Sequence, residues 1–263
     1  MIPIHLLGIF WFVGLYYGPA LNYILYIPIF WFCISCLGIA IGYHRLLSHR
    51  AFKTHPWVMR ILSFLGLLGG QGSPIFWAAV HRSLHHPHSD KEKDAHSPQR
   101  GWFHSYMGWQ FFFNKKRVNP RHTIDLIRDP YIRTMSHHYY LVYWMTVGLL
   151  YLMFPNLVLY TLIPATLVSI HQENLINVFG HSTAFGYRNF ETNDYSTNNI
   201  ILGWLFFGQG FHNNHHQYPQ SYDFGYHWWE FDICSLIVPL LSTEKTEKKS
   251  KIKVYEKSVD FKL

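Results

Sequence analysis

The chemistry of this 263-residue chain starts from its 19 histidines, because nine of them fall in short clusters. His44 and His49 flank Arg45-Leu46-Leu47-Ser48; His81, His85 and His86 lie within six residues; Asn177 precedes His181 by four; and His212, His215 and His216 close a final box. Imidazole suits iron, zinc, copper and nickel, and an isolated zinc site needs about four ligands. Nine histidines are too many for one ion and enough for two, at four or five each. On an α-helix each residue turns about 100°. His81 and His85 then share a face, whereas neighbours such as His215 and His216 diverge and can serve different ions. His44 and His49, about 140° apart, meet at one point only if the helix ends there or two metals are served. Glu-x-x-His pairs, the ligands of soluble di-iron bundles, are absent, and so is His-Glu-x-x-His. Among the other histidines, His5, His55, His122 and His227 read as structural or surface residues and His137-His138 as interfacial; His88, His96, His104 and His171 are candidates for orienting ligand imidazoles.

The elements that carry these clusters must be apolar. Only 14% of the residues are charged and 19% are aromatic, against about 25% charged in soluble domains. Ile2 to Tyr43 holds no Asp, Glu, Lys or Arg. It is long enough for two spans of about 20 residues, broken near Gly18-Pro19 and Asn22. Arg45, Arg50, Lys53 and Arg60 follow, which by the positive-inside rule puts that end on the cytoplasmic side. The glycine-rich stretch from Trp57 to Val80 is expected to lie in or dip into the interface, since a third full crossing would separate the first two clusters. Tyr139 to Phe154 and Leu157 to Ile170 form a second charge-free hairpin broken at Pro155-Asn156. The expected fold is an all-α membrane protein of two hairpins, with spans near 3–18, 22–43, 139–154 and 157–172. A cytoplasmic cap takes 44–138 and 173–243, in a single domain over 1–243, and 244–263 is a basic tail expected to be disordered. All four clusters then face one compartment. Three cysteines, Cys33, Cys36 and Cys234, make no disulfide framework, and no cleavable signal peptide is expected.

The boxes H-x-x-x-x-H, H-x-x-x-H-H, N-x-x-x-H and H-x-x-H-H, in this order around two hairpins, resemble the membrane fatty acid desaturases of the stearoyl-CoA and acyl-lipid delta-9 type. The likeness runs from about Gly38 to Asp232. It includes Gln71-Gly72-Ser73-Pro74-Ile75 with Trp77, Ser89-Asp90, Asp94 with His96-Ser97-Pro98, Gly186-Tyr187-Arg188 and Trp228-Trp229. The resemblance implies that His44, His49, His81, His85, His86, His181, His212, His215 and His216 hold two ferrous ions, with Asn177 acting through water. It also implies that Gln71 and Trp77 line a bent acyl tunnel, and that Phe32 and Cys36 close its far end. Arg45, Arg82 and Arg188 are either structural partners or contacts to an anionic head group. Glu173-Asn174 stand where the family commonly has Thr-Trp, and Asp-Ala-His replaces Asp-Pro-His at Asp94 to His96.

The implied activity is oxygen-dependent insertion of a cis double bond into a saturated acyl chain carried as acyl-CoA or acyl-lipid, with dioxygen as co-substrate. A membrane di-iron hydroxylase using the same centre is the alternative enzyme. A zinc transporter or bis-histidine haem carrier is the alternative outside catalysis, though transporters place ligands inside spans. No His-Pro-Gly-Gly haem motif or cysteine set for an iron–sulfur cluster is present, so electrons must come from a separate donor, ferredoxin or cytochrome b5 with its reductase. The lipid bilayer is the other partner, and no nucleic acid is expected. The location implied is a bacterial inner membrane rather than endoplasmic reticulum, with both termini and the active site cytoplasmic.

Overall fold

The computed structural model describes residues 2–244, so the tail beyond Glu244 lies outside the described residues. Every named element among them is helical, with only isolated bridges such as Tyr187 to Asn198 besides.

Helix α1 covers Ile2–Tyr16. Gly18 then takes a left-handed φ of 92°, a conformation cheap only for glycine, and Pro19 opens α2, where its missing N–H is not needed. Helix α2, Pro19–Ser48, is 30 residues long. The sequence places the break as far as Asn22; the chain instead turns at Gly18 and is already helical there. Winding changes along α2: it is tight to Tyr26, regular from Ile27 to Trp31, and bonded i to i+5 from Phe32 to Ser48.

Helix α3, Pro56–Leu68, runs back antiparallel to α2. Gly38 meets the backbone of Gly66, and Gly42 meets the Leu62 carbonyl. A Cβ on Gly38 would come within 2.4 Å of the Gly66 nitrogen, so the two backbones approach this closely only because glycines stand there. Gly70 and Gly72, with φ of 68° and 109°, reverse the chain. Helix α4 then returns as Pro74–Val80, His81–His85 and His86–His88. The stretch from Trp57 to Val80 thus goes in beside α2 and comes back, which brings the first two histidine clusters to the same end.

The remaining helices are α5 over 104–112, α6 (Ile124–Arg128), α7 (Pro130–His137), α8 (Tyr139–Met153), α9 over 155–179, α10 (Ile200–Leu205), α11 (His212–Gln217) and α12 (Cys234–Leu241). Helix α8 stops at Phe154, before Pro155. Helix α9 packs on α1 and α2 and delivers Asn177 and His181 to the end where α2 and α4 carry theirs. The outer faces of α1 and α8 expose Ile9, Phe10, Phe12, Leu149, Leu152 and Met153. Among the described residues, α2 is the helix both long and apolar enough to cross a bilayer, and α1, α3 and α8 are shorter apolar helices.

Candidate metal centre

The nine boxed histidines converge as two groups, His44, His49, His81, His86 and His215 in one and His85, His181, His212 and His216 in the other. Within each group the ligand atoms lie within 4.8 Å of one another. In the first, Nε2 of His215 is 3.0 Å from Nε2 of both His44 and His86, and Nε2 of His49 is 2.7 Å from that of His81. In the second, Nε2 of His212 is 2.9 Å from Nε2 of His181 and 3.1 Å from that of His216.

The winding of the helices decides who joins whom. In the i to i+5 segments the N–H of His49 bonds the carbonyl of His44, at 3.0 Å, and the N–H of His86 bonds that of His81. Residues five apart therefore stand above one another, so His44 joins His49 and His81 joins His86. The α-helical arithmetic set His81 and His85 on one face, and the structure separates them into different groups. It sets His44 and His49 well apart, and the structure unites them at the helix end. Turns bonded i to i+5 within helices are frequent at functional sites. His215 and His216, successive residues on α11, point into different groups as expected.

Both groups have the chemistry of metal sites. Two nitrogens at right angles on an ion, with bonds of about 2.1 Å, stand about 3.0 Å apart, close to the spacings here. Four of the outer nitrogens are taken. His44 Nδ1 donates to Gln209 Oε1 at 2.9 Å, an oxygen that also accepts from Arg45. His181 Nδ1 donates to Asp90 at 2.9 Å, His216 Nδ1 to Asp194 at 2.7 Å, and His85 Nδ1 to Asp94 at 3.3 Å. With Nδ1 protonated, these four imidazoles turn bare Nε2 lone pairs inward. His181 and His216 then aim two lone pairs at His212, whose single proton can satisfy only one of them. A cation satisfies all of them, and carboxylates behind metal-bound histidines are its usual accompaniment.

Burial favours the neutral, ligating form in seven of the nine imidazoles. It pushes His44, His49, His81, His86, His212 and His215 far below the ordinary range, with neighbouring histidines adding to the effect. His216 is lowered by burial to about 4 although Asp194 pulls the other way. His181 is raised, because Asp90 outweighs its burial. Burial would raise Asp94 and Asp194 as well, but their histidine partners hold both well below the carboxylate range.

Between the groups and the bundle lies a cavity of about 60 Å³, walled by residues that include His44, His85, His212, Gln71, Trp77, Glu173 and Asn177. Trp77 stacks on His81 with ring centroids 5.0 Å apart and donates to Gln71, which donates in turn to the Ser169 carbonyl. Phe32 packs on Phe207, and Cys36 is buried with its Sγ 3.8 Å from that of Cys234; neither is a wall of this cavity.

The three arginines offered for a head group are engaged inside the protein. Arg45 is fully buried, paired with Asp232 at 2.7 Å and bonded to the Ala40 and Tyr222 carbonyls. Arg82 bonds the carbonyls of Leu47, Ser48 and His122 and the carboxylate of Asp125. Arg188 ties Thr192 and Asp194. Their donors hold loops and helix ends around the histidines. Of the histidines considered as orienting partners, His96 lies tilted against His85, with ring centroids 4.4 Å apart. His104 bonds the Ala95 carbonyl and His171 the Tyr106 hydroxyl. The groups that do orient ligands, Asp90, Asp94, Asp194 and Gln209, were not assigned that role from sequence. The available signal was the need of every buried imidazole for an acceptor, in a chain with only 15 acids.

A family model for fatty acid desaturases matches residues 19–239. The chain is 36% identical over 208 residues to an sn-1 stearoyl-lipid 9-desaturase of Anabaena variabilis, covering 78% of this chain and 75% of that protein. It is 35% identical over 219 residues to the delta-9 acyl-lipid desaturase 1 of Arabidopsis thaliana, covering 80% and 69%. It is 30% identical over 246 residues to an acyl-CoA C20 delta5-desaturase of Anemone leveillei, covering 89% and 78%.

Proposed function

The chain belongs to the fatty acid desaturase family of oxidoreductases, and from that premise we propose that it inserts a cis double bond into a saturated acyl chain at a di-iron centre held by the two histidine groups. The observation that carries this reading is the division of nine histidines into a group of five and a group of four, each with converging Nε2 atoms. Two such all-imidazole sites side by side fit a pair of ions. His44, His49, His81, His86 and His215 would hold one ion; His85, His181, His212 and His216 the other, with Asn177 acting on it through water.

When bound, the iron pair supplies reduction of dioxygen and removal of hydrogen from unactivated methylenes. This chain's residues do the rest. Asp90, Asp94, Asp194 and Gln209 fix the tautomer and tilt of four ligands. Gln71 and Trp77, tied to one another and to Ser169, stiffen one cavity wall beside the first group, where an acyl chain must bend past the reacting carbons. Burial of both groups keeps bulk water from them.

The exposed apolar faces of α1 and α8 support the multi-pass reading, since patches of that kind on a protein surface mark contact with lipid or another apolar partner. Four spans, near 3–18, 22–43, 139–154 and 157–172, with both termini and the histidine end cytoplasmic, are the topology we propose, in a bacterial inner membrane. Acyl-lipid and acyl-CoA are both substrates of relatives by name, and ferredoxin or cytochrome b5 is the proposed electron donor.

Metal analysis joined to lipid analysis tests the proposal. The purified protein is expected to carry about two irons per chain, and cells expressing it to gain a monounsaturated acyl chain. One metal per chain, or full activity with zinc alone, ends the di-iron reading; a hydroxylated product in place of the alkene moves the chain to the hydroxylases.

A further inference from the structure

One side of the cavity is polar in a way that binding an unsubstituted acyl chain does not use. Trp109, Gln110, Glu173 and Asn174 stand in its wall beside the histidines. Gln110 Nε2 donates to Asn174 Oδ1 at 2.9 Å. The pairing leaves one carbonyl oxygen and one amide nitrogen over, and Gln110 Oε1 and Asn174 Nδ2 are both buried without a partner. The count is the same for either orientation of the two amides, since a flipped pair leaves the same two kinds of atom. The Trp109 indole N–H is buried and unpartnered as well. Asn174 is 1% exposed. Burying such atoms unpaired is costly, so three in one wall favour an occupant with polar atoms of its own.

Two of the three atoms are donors and one is an acceptor. A methylene meets none of them, a carbonyl meets only the donors, and a hydroxyl meets both kinds. Glu173 adds a fourth group: burial pushes its carboxyl up to about 7, with Gln172 and Gln209 working against the rise, so near neutrality it can donate or accept.

Resting on the acyl-desaturase reading, we propose that this cavity takes an acyl chain bearing a hydroxyl group at the segment beside the histidines, held by the Trp109 N–H, the Asn174 amide and the Gln110 carbonyl. Hydroxylated acyl chains are then the preferred substrate class, and Trp109, Gln110 and Asn174 are specificity-determining residues. The wall facing Gln71 and Trp77 receives the unsubstituted part of the chain.

Binding to the purified full-length protein without an electron donor tests this, because no turnover intervenes. The probes are octadecanoate and a set of monohydroxyoctadecanoates differing in hydroxyl position, competed against radiolabelled octadecanoate. With two additional hydrogen bonds, at least one hydroxy isomer is expected to bind roughly tenfold or more tightly than octadecanoate. Asn174→Leu and Gln110→Leu are expected to lose that preference while keeping octadecanoate binding, which also reports that the variants are folded. Equal binding of all isomers and octadecanoate by the wild type overturns the inference and leaves the desaturase reading standing, as does a preference that survives in both variants. Binding of no chain at all overturns the inference.

Discussion

At the scale of single residues, each histidine group works through the atoms behind it. Asp194 accepts from His216 Nδ1 and is itself held by Thr192 and Ser196 hydroxyls, so the carboxylate is preset before any ion arrives. Asp194→Asn keeps the shape but can present its amide N–H to the imidazole, favouring the wrong tautomer. Loss of such a partner typically weakens metal affinity about 10–100-fold; the expected outcome is depletion of about one of two metals during dialysis against a chelator, while Asp129→Asn, at the N-cap of α7, retains both. Protonation gives a second residue-scale prediction. His216 is lowered to about 4 from 6.5 in the fold, so below pH 6.5 the unfolded chain binds a proton that the native protein refuses. Stability of the metal-free protein then falls as pH drops from about 6.5 to 4, by roughly 3 kcal/mol for this one group, and His44, His81 and His215 act in the same direction. His181 opposes them, because its raised value favours the native state at low pH and loses that contribution as pH rises. The measurement is apparent unfolding temperature against pH with and without iron. A flat profile without metal would contradict the buried neutral imidazoles.

At the scale of elements, the i to i+5 winding is what lets one helix end deliver two ligands to one ion. Deleting Leu46 would leave His44 and the second histidine four apart and rotate one of them out of the group. The expected result is a protein that loses metal from the five-histidine group and keeps the four-histidine group, so iron falls from about two to about one per chain. Retention of both irons would show that the spacing is not what assembles the group. The contact of α2 with α3 is the other device at this scale. A side chain at Gly66 would strike Tyr43, with a Cβ 2.5 Å from its ring, and the Gly38 carbonyl at 2.8 Å. Gly66→Leu must separate the two helices and, through the turn at Gly70 and Gly72, displace His81 from His49. Overpacking of this kind costs about 1–3 kcal/mol; both a lower unfolding temperature and weaker iron binding are expected, whereas Ile61→Leu on the exposed face of α3 changes neither.

For the whole molecule, the arrangement separates an apolar bundle from a histidine-rich end. Helices α1, α2, α8 and α9 leave their turns at Gly18 and at Pro155-Asn156 on the side away from the histidines, and the loop with Lys116 on theirs. Cysteine labels at Gly18 and Asn156 are therefore expected to react from outside intact cells, and a label at Lys116 only after permeabilisation. Labelling of Lys116 in intact cells would invert the proposed topology.

What the sequence determined by itself was the ligand inventory and the apolar frame. Nine histidines in four boxes, two charge-free hairpins and their order along the chain are composition and spacing, which no fold can alter. Breaks at Gly18-Pro19 and Pro155 were legible because proline and glycine restrict the backbone locally. The partition of the nine into five and four was decided only by tertiary structure, since α-helical geometry pairs His81 with His85 and the real winding pairs it with His86. The i to i+5 segment of α2 is the part that lies against α3 through Gly38 and Gly42. Tertiary structure also decided the role of Arg45. The sequence leaves it either a structural partner or a head-group contact until Asp232, far along the chain, is seen to pair with it in the interior. Asp90, Asp194 and Gln209 lie 91, 22 and 165 residues from the imidazoles they orient, and Gln110 lies 64 residues from the Asn174 it pairs with; no periodicity records which side chains a folded chain will bury together.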